Sequence, residues 1–328
     1  MEVKFGFTKF TIKEFESWIK EIRVGRTILK IQQHHTYSPS YIHFKGANHF
    51  EMQRGMKNYH VTHNGWSDIG QHLTIFPDGS IMTGRSMEKS PACITGQNAN
   101  SICIESIGNF DLNGDTMSQI QKDSIVAVTS FLCSRFSLPI TTNSIVYHHW
   151  FNLSTGERNN GVKNNKSCPG TNFFGGNKVI DCEKNFLPLI KQKLLNISNN
   201  QIVNSNPKYV VVTTKSLNIR SFHSVTSEKV KGRSPVLLGS VLRIFEEKEG
   251  WLRISNSMNH WIAGKYTTVV SRATVNSDTL NVRSGPNVSF AKIGSYLKGE
   301  EVFVIEEEKG WCKISMDEKW VNKKYLNF

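Results

Sequence analysis

Two pairs of adjacent histidines stand at the ends of short apolar runs. Residues 28–33 lead into His34-His35-Thr36, and Ile145-Val146-Tyr147 leads into His148-His149-Trp150. Twenty residues past His148 comes Cys168, within Lys166-Ser167-Cys168-Pro169-Gly170. Alone, a His-His pair is more often loop hydrogen bonding, and Cys-Pro-Gly more often a tight turn. Together they deliver an imidazole from each of two strand ends and a thiolate from a loop. Three protein ligands leave the fourth tetrahedral position of a zinc ion open, which is the catalytic arrangement rather than the closed structural one. A further chemical residue is Glu105, in the nearly continuous apolar run 101–107. A carboxylate inside what reads as a central strand is rare unless paired or functional, and function is the preferred reading.

These residues need elements to hold them. Thr11-Ile12-Lys13-Glu14 is a capping box, and Phe15, Trp18, Ile19 and Ile22 follow at helical spacing. A strand is expected over 28–33, a helix over about 47–58, and a hairpin around Pro77-Asp78-Gly79-Ser80 that ends in Gly84-Arg85. Ser118-Gln119-Ile120-Gln121 opens a helix through Ile125, Val128, Phe131 and Leu132 that stops before Pro139. A last helix, 181–195, contains Pro188, which implies a kink or a later start. Strands interleaved with helices predict an α/β domain with a mixed central β-sheet flanked by helices.

The chain order His-His-Thr, Asp-Ile-Gly-x-His, Asp-Gly, Gly-Arg, Ile-Glu, His and Lys-x-Cys-Pro-Gly resembles that of the type 2 N-acetylmuramoyl-L-alanine amidases over about residues 25–195. This superfamily includes T7 lysozyme and the peptidoglycan recognition proteins. The resemblance implies zinc (Zn2+) held by His34, His148 and Cys168, with His149 as the fallback for His148. It implies Lys166 as the stabiliser of a developing oxyanion and Glu105 as the catalytic carboxylate. The implied reaction is hydrolysis, by zinc-activated water, of the amide joining N-acetylmuramic acid to L-alanine. Where several members carry a tyrosine, this chain has Gln71, which donates a hydrogen bond but cannot act as an acid, so proton transfer falls more on Glu105. His35, Thr36, Gln71 and His149 are the polar neighbours expected to meet substrate, and residues 155–165 read as an insertion lining the substrate groove.

Composition bounds the rest. The 328 residues predict more than one domain. No stretch approaches the roughly 18 apolar residues of a membrane span. Forty Lys and Arg against 27 Asp and Glu give +13. The excess is spread as +6 over residues 1–206 and +7 over 207–328. An anionic partner follows, either nucleic acid or a teichoic-acid-bearing wall. With no nucleic-acid motif in the chain, the wall is favoured. Six scattered cysteines argue against a disulfide framework, and Cys103 and Cys133 read as buried thiols.

After a polar linker, 197–207, the chain repeats itself. Leu217-Asn218-Ile219-Arg220-Ser221 returns as Leu280-Asn281-Val282-Arg283-Ser284. Glu249-Gly250-Trp251 returns as Lys309-Gly310-Trp311, and Trp261 and Tyr266 answer Trp320 and Tyr325. Each copy resembles a bacterial SH3 domain, a small all-β barrel, with copies expected at 208–270 and 271–328 behind an amidase domain at 1–196. Trp251 and Trp311 are candidates either for the barrel cores or for contact with cell wall. This build resembles clostridial phage endolysins, a host autolysin being the nearest relative reading. A wall-binding protein without catalysis is the alternative of a different class. The expectations are a monomer, a Gram-positive peptidoglycan partner and no nucleic acid. Met1-Glu2-Val3-Lys4-Phe5-Gly6 lacks signal-peptide features, so the chain is expected to be made in a host cytoplasm and to act on the wall after release.

Overall fold

The computed structural model describes residues 1–198 and 207–328, so residues 199–206 of the expected linker lie outside the described residues. The chain divides into two compact units: Met1–Ile22 with Ile28–Val203, and Arg23–Thr27 with Asn204–Phe328.

The first unit opens with a hairpin that sequence reading missed, β1 (Glu2–Lys4) and β2 (Phe7–Phe10). Phe5 (φ 54°) and Gly6 (φ 80°) form its two-residue loop, and positive φ at both positions is what a type I′ turn demands. Helix α1 (Ile12–Glu21) starts at the predicted capping box, where Thr11 Oγ1 accepts from Glu14 N and the Glu14 carboxylate accepts from Thr11 N. Then come β3 (Lys30–His35), α2 (His49–Thr62), the hairpin β4 (Leu73–Ile75) and β5 (Ile81–Thr83), and β6 (Ser101–Ser106). Helix α3 (Gln119–Phe136) is capped by Ser118, whose Oγ accepts from Gln121 N. Strand β7 (Ile145–Tyr147) follows, then the short α4 (Val179–Asp181). A π-helical segment, Cys182–Phe186, separates α4 from α5 (Leu187–Ser198). Pro188 has no N–H to offer the preceding turn, and the wider segment before it absorbs that break.

The seven strands lie in the order β1-β2-β5-β4-β6-β3-β7; β4, β6, β3 and β7 run parallel and the others antiparallel. This is the mixed sheet expected. On one face Gln33 of β3 donates to Thr129 of α3, and α1 and α5 flank α3. On the other, Phe50, Met52 and Met56 of α2 pack with Phe7, Ile69, Phe76 and Met82.

Several predicted boundaries shift: α2 runs on to Thr62, and the last helical stretch spans 179–198 rather than 181–195. Helix α2 begins at His49 rather than near 47, because Asn48 closes the preceding turn by accepting from Lys45 N. Strand β3 runs 30–35 rather than 28–33. Leu29 N and Lys30 N both donate to Asn100 O, and the ladder with β6 begins only at Lys30 opposite Ser101. Both histidines of the first pair are therefore inside the strand, so they point to opposite faces.

The second unit is all β. Lys208–Val212 pairs with Val241–Ile244 on one side and with residues 267–270 on the other. Those four residues are the first half of one nine-residue strand, Thr267–Val275, whose second half, 271–274, pairs with Glu301–Val304. The expected boundary between the copies thus falls inside a strand that serves both. Each copy keeps its own core, Val210, Val212, Leu242, Leu252 and Ile262 in the first and Val275, Leu280, Val302, Cys312 and Val321 in the second. In each, the two-residue loop before the tryptophan has positive φ throughout: Glu249 and Gly250, then Lys309 and Gly310. That geometry accounts for the glycine at both positions. Among the described residues no helix is long and apolar enough to cross a membrane.

Candidate metal and catalytic site

Parallel pairing in register aligns the chemistry. Thr74 of β4 lies opposite Glu105 of β6, and Glu105 lies opposite His34 of β3. Side chains at matched positions share a face, so these three form a row across adjacent strands. On the far side of β3, Gln33 pairs with Tyr147, and His148 follows at the start of a 3-10 turn, His148–Trp150. The row lies on the face opposite α3.

Cys168 completes a cluster: the ligating atoms of His34, His148 and Cys168 all lie within 4.8 Å of one another. The two imidazole centroids are 4.8 Å apart, and His34 Nδ1 is 3.4 Å from Cys168 Sγ. His34 Nε2 is buried without a hydrogen-bond partner. Burial holds His34 well below its ordinary pKa and lowers His148 to about 4, the Lys166 charge adding to burial in the latter case. Both rings are therefore neutral at physiological pH, the state that ligates metal. Burial, reinforced by the charge of Glu105, pushes the Cys168 thiol up, so only a neighbouring cation would ionise it. Two neutral imidazoles, a buried orphan nitrogen and such a thiol fit a zinc ion.

Glu105 retains partial exposure in this row, yet burial of its carboxyl raises its pKa to about 8, against the opposing pull of Lys166. Lys166 is exposed, and its charge acts on His34, His35, His148, Glu105 and Cys168 alike.

The second member of each histidine pair is placed differently. His35 points to the α3 face, where its Nδ1 accepts from Phe110 N at 3.1 Å. His149 donates from Nδ1 to Lys166 O at 2.6 Å, and its backbone N–H donates to Cys168 O at 2.7 Å. Thr36 Oγ1 accepts from Gly108 N and donates to Pro39 O. Gln71 is buried, and its amide donates to Thr74 Oγ1 and faces the Met56 sulfur. Of the two repeat tryptophans, Trp311 is buried and Trp251 half-buried.

Three features escaped sequence reading. Asp111 clamps the cysteine loop, its carboxylate accepting from Ser167 Oγ at 2.8 Å and Thr171 N at 2.9 Å. Asn177 ties the same loop to the core: its amide donates to Ser167 O, while its carbonyl accepts from Trp150 Nε1. Cys103, expected as a free buried thiol, is disulfide-bonded to Cys93; Cys133 is free, as expected. The turn at 91–99 folds Cys93 back against β6, a contact that spacing along the chain does not reveal.

Residues 24–171 match the family described as N-acetylmuramoyl-L-alanine amidase, and residues 278–327 match the bacterial SH3 domain. Peptidoglycan-recognition protein SC2 of Drosophila melanogaster is 31% identical over 141 residues, covering 43% of this chain and 67% of that one. The putative N-acetylmuramoyl-L-alanine amidase YrvJ of Bacillus subtilis is 29% identical over 35% of this chain, which spans only a quarter of its length (25%). Among solved structures, the N-acetylmuramoyl-L-alanine amidase LysC from Clostridium intestinale aligns over 45% of this chain and 80% of its own, at 24% identity and a TM-score of 0.34. The chain belongs to the N-acetylmuramoyl-L-alanine amidase family, with a bacterial SH3 domain at its C-terminal end.

Proposed function

We propose that this protein is a peptidoglycan hydrolase of the endolysin kind, cleaving the amide between N-acetylmuramic acid and L-alanine with zinc held by His34, His148 and Cys168. The observation that carries the reading is the convergence of those three donors within 4.8 Å, in line with Glu105 and under the charge of Lys166. Bound there, the ion would polarise the scissile carbonyl and acidify water. Glu105, with a pKa of about 8, would both accept and return a proton at working pH, and a nearby cation would favour its carboxylate and lower that pKa. It would take the proton from the attacking water and pass it to the leaving amine. Lys166 would stabilise the oxyanion from the solvent side. His149 and Asp111 hold the loop that carries Lys166 and Cys168. Thr36, half-buried, is the candidate for substrate contact; His35, turned to the α3 face, and Gln71, fully buried, are withdrawn from that role. Gln71 would act only indirectly, through its hydrogen bond to Thr74, the neighbour of Glu105 in the row.

The repeats would bind the wall, with Trp251 the better placed of the two tryptophans because it is only half-buried. A Gram-positive wall, monomeric action and release from a host cytoplasm complete the proposal. Metal analysis of the purified protein, with mass spectrometry of digested walls, tests it. Zinc together with new N-terminal L-alanine supports the amidase; new reducing sugar ends would point to a muramidase. Wall binding with no product would leave the recognition role of the Drosophila relatives.

A further inference from the structure

The Cys93–Cys103 disulfide lies beside the metal cluster. Cys103 is two residues before Glu105 on β6 and opposite Gln32 on β3, so it shares the face of Glu105 and His34. A ring nitrogen of His34 and the two sulfurs all lie within 4.8 Å of one another, as do the donors of His34, His148 and Cys168. His34 therefore belongs to two three-donor groups. Its Nδ1 lies 3.4 Å from Cys168 Sγ, while its Nε2 is buried and has no partner. In the oxidised chain the two sulfurs are bonded to each other and offer no thiolate.

We propose that reduction of Cys93–Cys103 creates a second site for a thiophilic divalent ion, made of His34, Cys93 and Cys103, which competes for His34 with the set containing His148 and Cys168. The inference rests on the metal reading given above. Two molecules of a small thiol supply two electrons and two protons to the disulfide and leave as their own disulfide, freeing both cysteines as thiols. The ion then displaces the two thiol protons to water and gains two thiolate bonds. The Cα atoms of Cys93 and Cys103 are 6.8 Å apart, a separation at which two sulfurs can turn toward one ion. With two thiolates against one, the new set is the softer and the stronger for zinc. In a reducing compartment the ion would sit in the site without Cys168. Exchange with a small disulfide, which takes up the two electrons and leaves as two thiols, re-forms Cys93–Cys103, removes two of the ligands and returns the ion to the amidase set.

Cobalt(II) distinguishes the sets, because the thiolate-to-cobalt charge-transfer band grows with each thiolate bound. The full-length protein is loaded with cobalt in two states: with its disulfide intact, and after anaerobic treatment with a phosphine that is then removed. The band is expected to rise about twofold on reduction. The decisive variant is Cys168→Ser, checked for folding by circular dichroism. It should take no cobalt with the disulfide intact and should take it, with a two-thiolate band, once reduced. A band of unchanged intensity in reduced wild type, or a reduced Cys168→Ser that stays cobalt-free, overturns the second site and leaves the amidase set standing. Failure of the disulfide-intact wild type to take cobalt would instead overturn the metal reading itself, and the competition with it.

Discussion

The two histidine pairs have the same composition and opposite divisions of labour between neighbours. In His34-His35 both residues lie on one strand, and the pleat sends His34 to the cluster and His35 to the α3 face, where it accepts from Phe110. In His148-His149 the strand has already ended; a 3-10 turn keeps both residues on the loop side, with His148 at the cluster and His149 gripping the Lys166 carbonyl. A repeated dipeptide thus acquires different jobs from the backbone beneath it. The first pair is divided by strand alternation and the second by a turn.

The sharpest way to break this comparison is to remove one ring at a time. His34→Ala and His148→Ala should lose bound metal and fall to background lysis, as should Cys168→Ser in the disulfide-intact protein. His35→Ala should retain metal, because its nitrogen serves Phe110. Metal content by mass spectrometry decides, and zinc retained in His148→Ala but lost in His149→Ala would exchange the roles assigned to the second pair. Glu105→Gln comes next in size. It preserves shape, so zinc should remain while turnover drops by about 10² to 10⁴. A zinc-loaded, fully active variant would show that the carboxylate is structural.

The cluster was legible because each of its members sits at the end of an apolar run or in a motif of distinctive order. That Glu105 falls beside His34 was not legible, because the expected strand stopped at residue 33 and its register against β6 is set by Lys30 opposite Ser101. The contacts that were not legible are those made between segments far apart in the chain. Asp111 reaches Ser167 across 56 positions, and nothing in the polar stretch around it distinguishes it from a loop aspartate. Cys93 lies in a turn-rich stretch, between Ala92 and Ile94, with no periodic pattern to announce its bond to Cys103. The β1–β2 hairpin is too short, at three and four residues, for alternation to register. Gly250 and Gly310 were read as repeat markers, but the strand shared by both copies was invisible. Its nine residues look like the end of one copy and the start of the next.

Loosening the clamp on the cysteine loop should have an intermediate effect. Asp111→Asn weakens acceptance from Ser167 and Thr171, and His149→Ala frees the Lys166 carbonyl. Removing a group that orients a ligand costs roughly 10- to 100-fold in metal affinity or activity. Both variants should therefore still bind zinc, with faster loss to a chelator. If His149→Ala matches wild type in chelator competition while Asp111→Asn does not, the turn alone orients His148.

The smallest effect concerns the free-energy cost of holding Glu105 in the row. Its folded pKa is raised from 4.5 to about 8, chiefly by burial. Between those values the unfolded chain releases the proton and the folded chain keeps it. The folded state then binds more protons than the unfolded one, and stability falls as pH rises through the window. The penalty is absent below about pH 4.5 and complete above about pH 8. Glutamine cannot ionise, so metal-free Glu105→Gln should match metal-free wild type at pH 4 and exceed it at pH 9. After discounting for the partial exposure of the site, the gain is about 1–2 kcal/mol. Thermal unfolding of both chelator-treated proteins across that range measures it. Identical profiles would mean that the carboxylate is solvated in the metal-free chain, and that the row of Thr74, Glu105 and His34 is held at no cost to the fold.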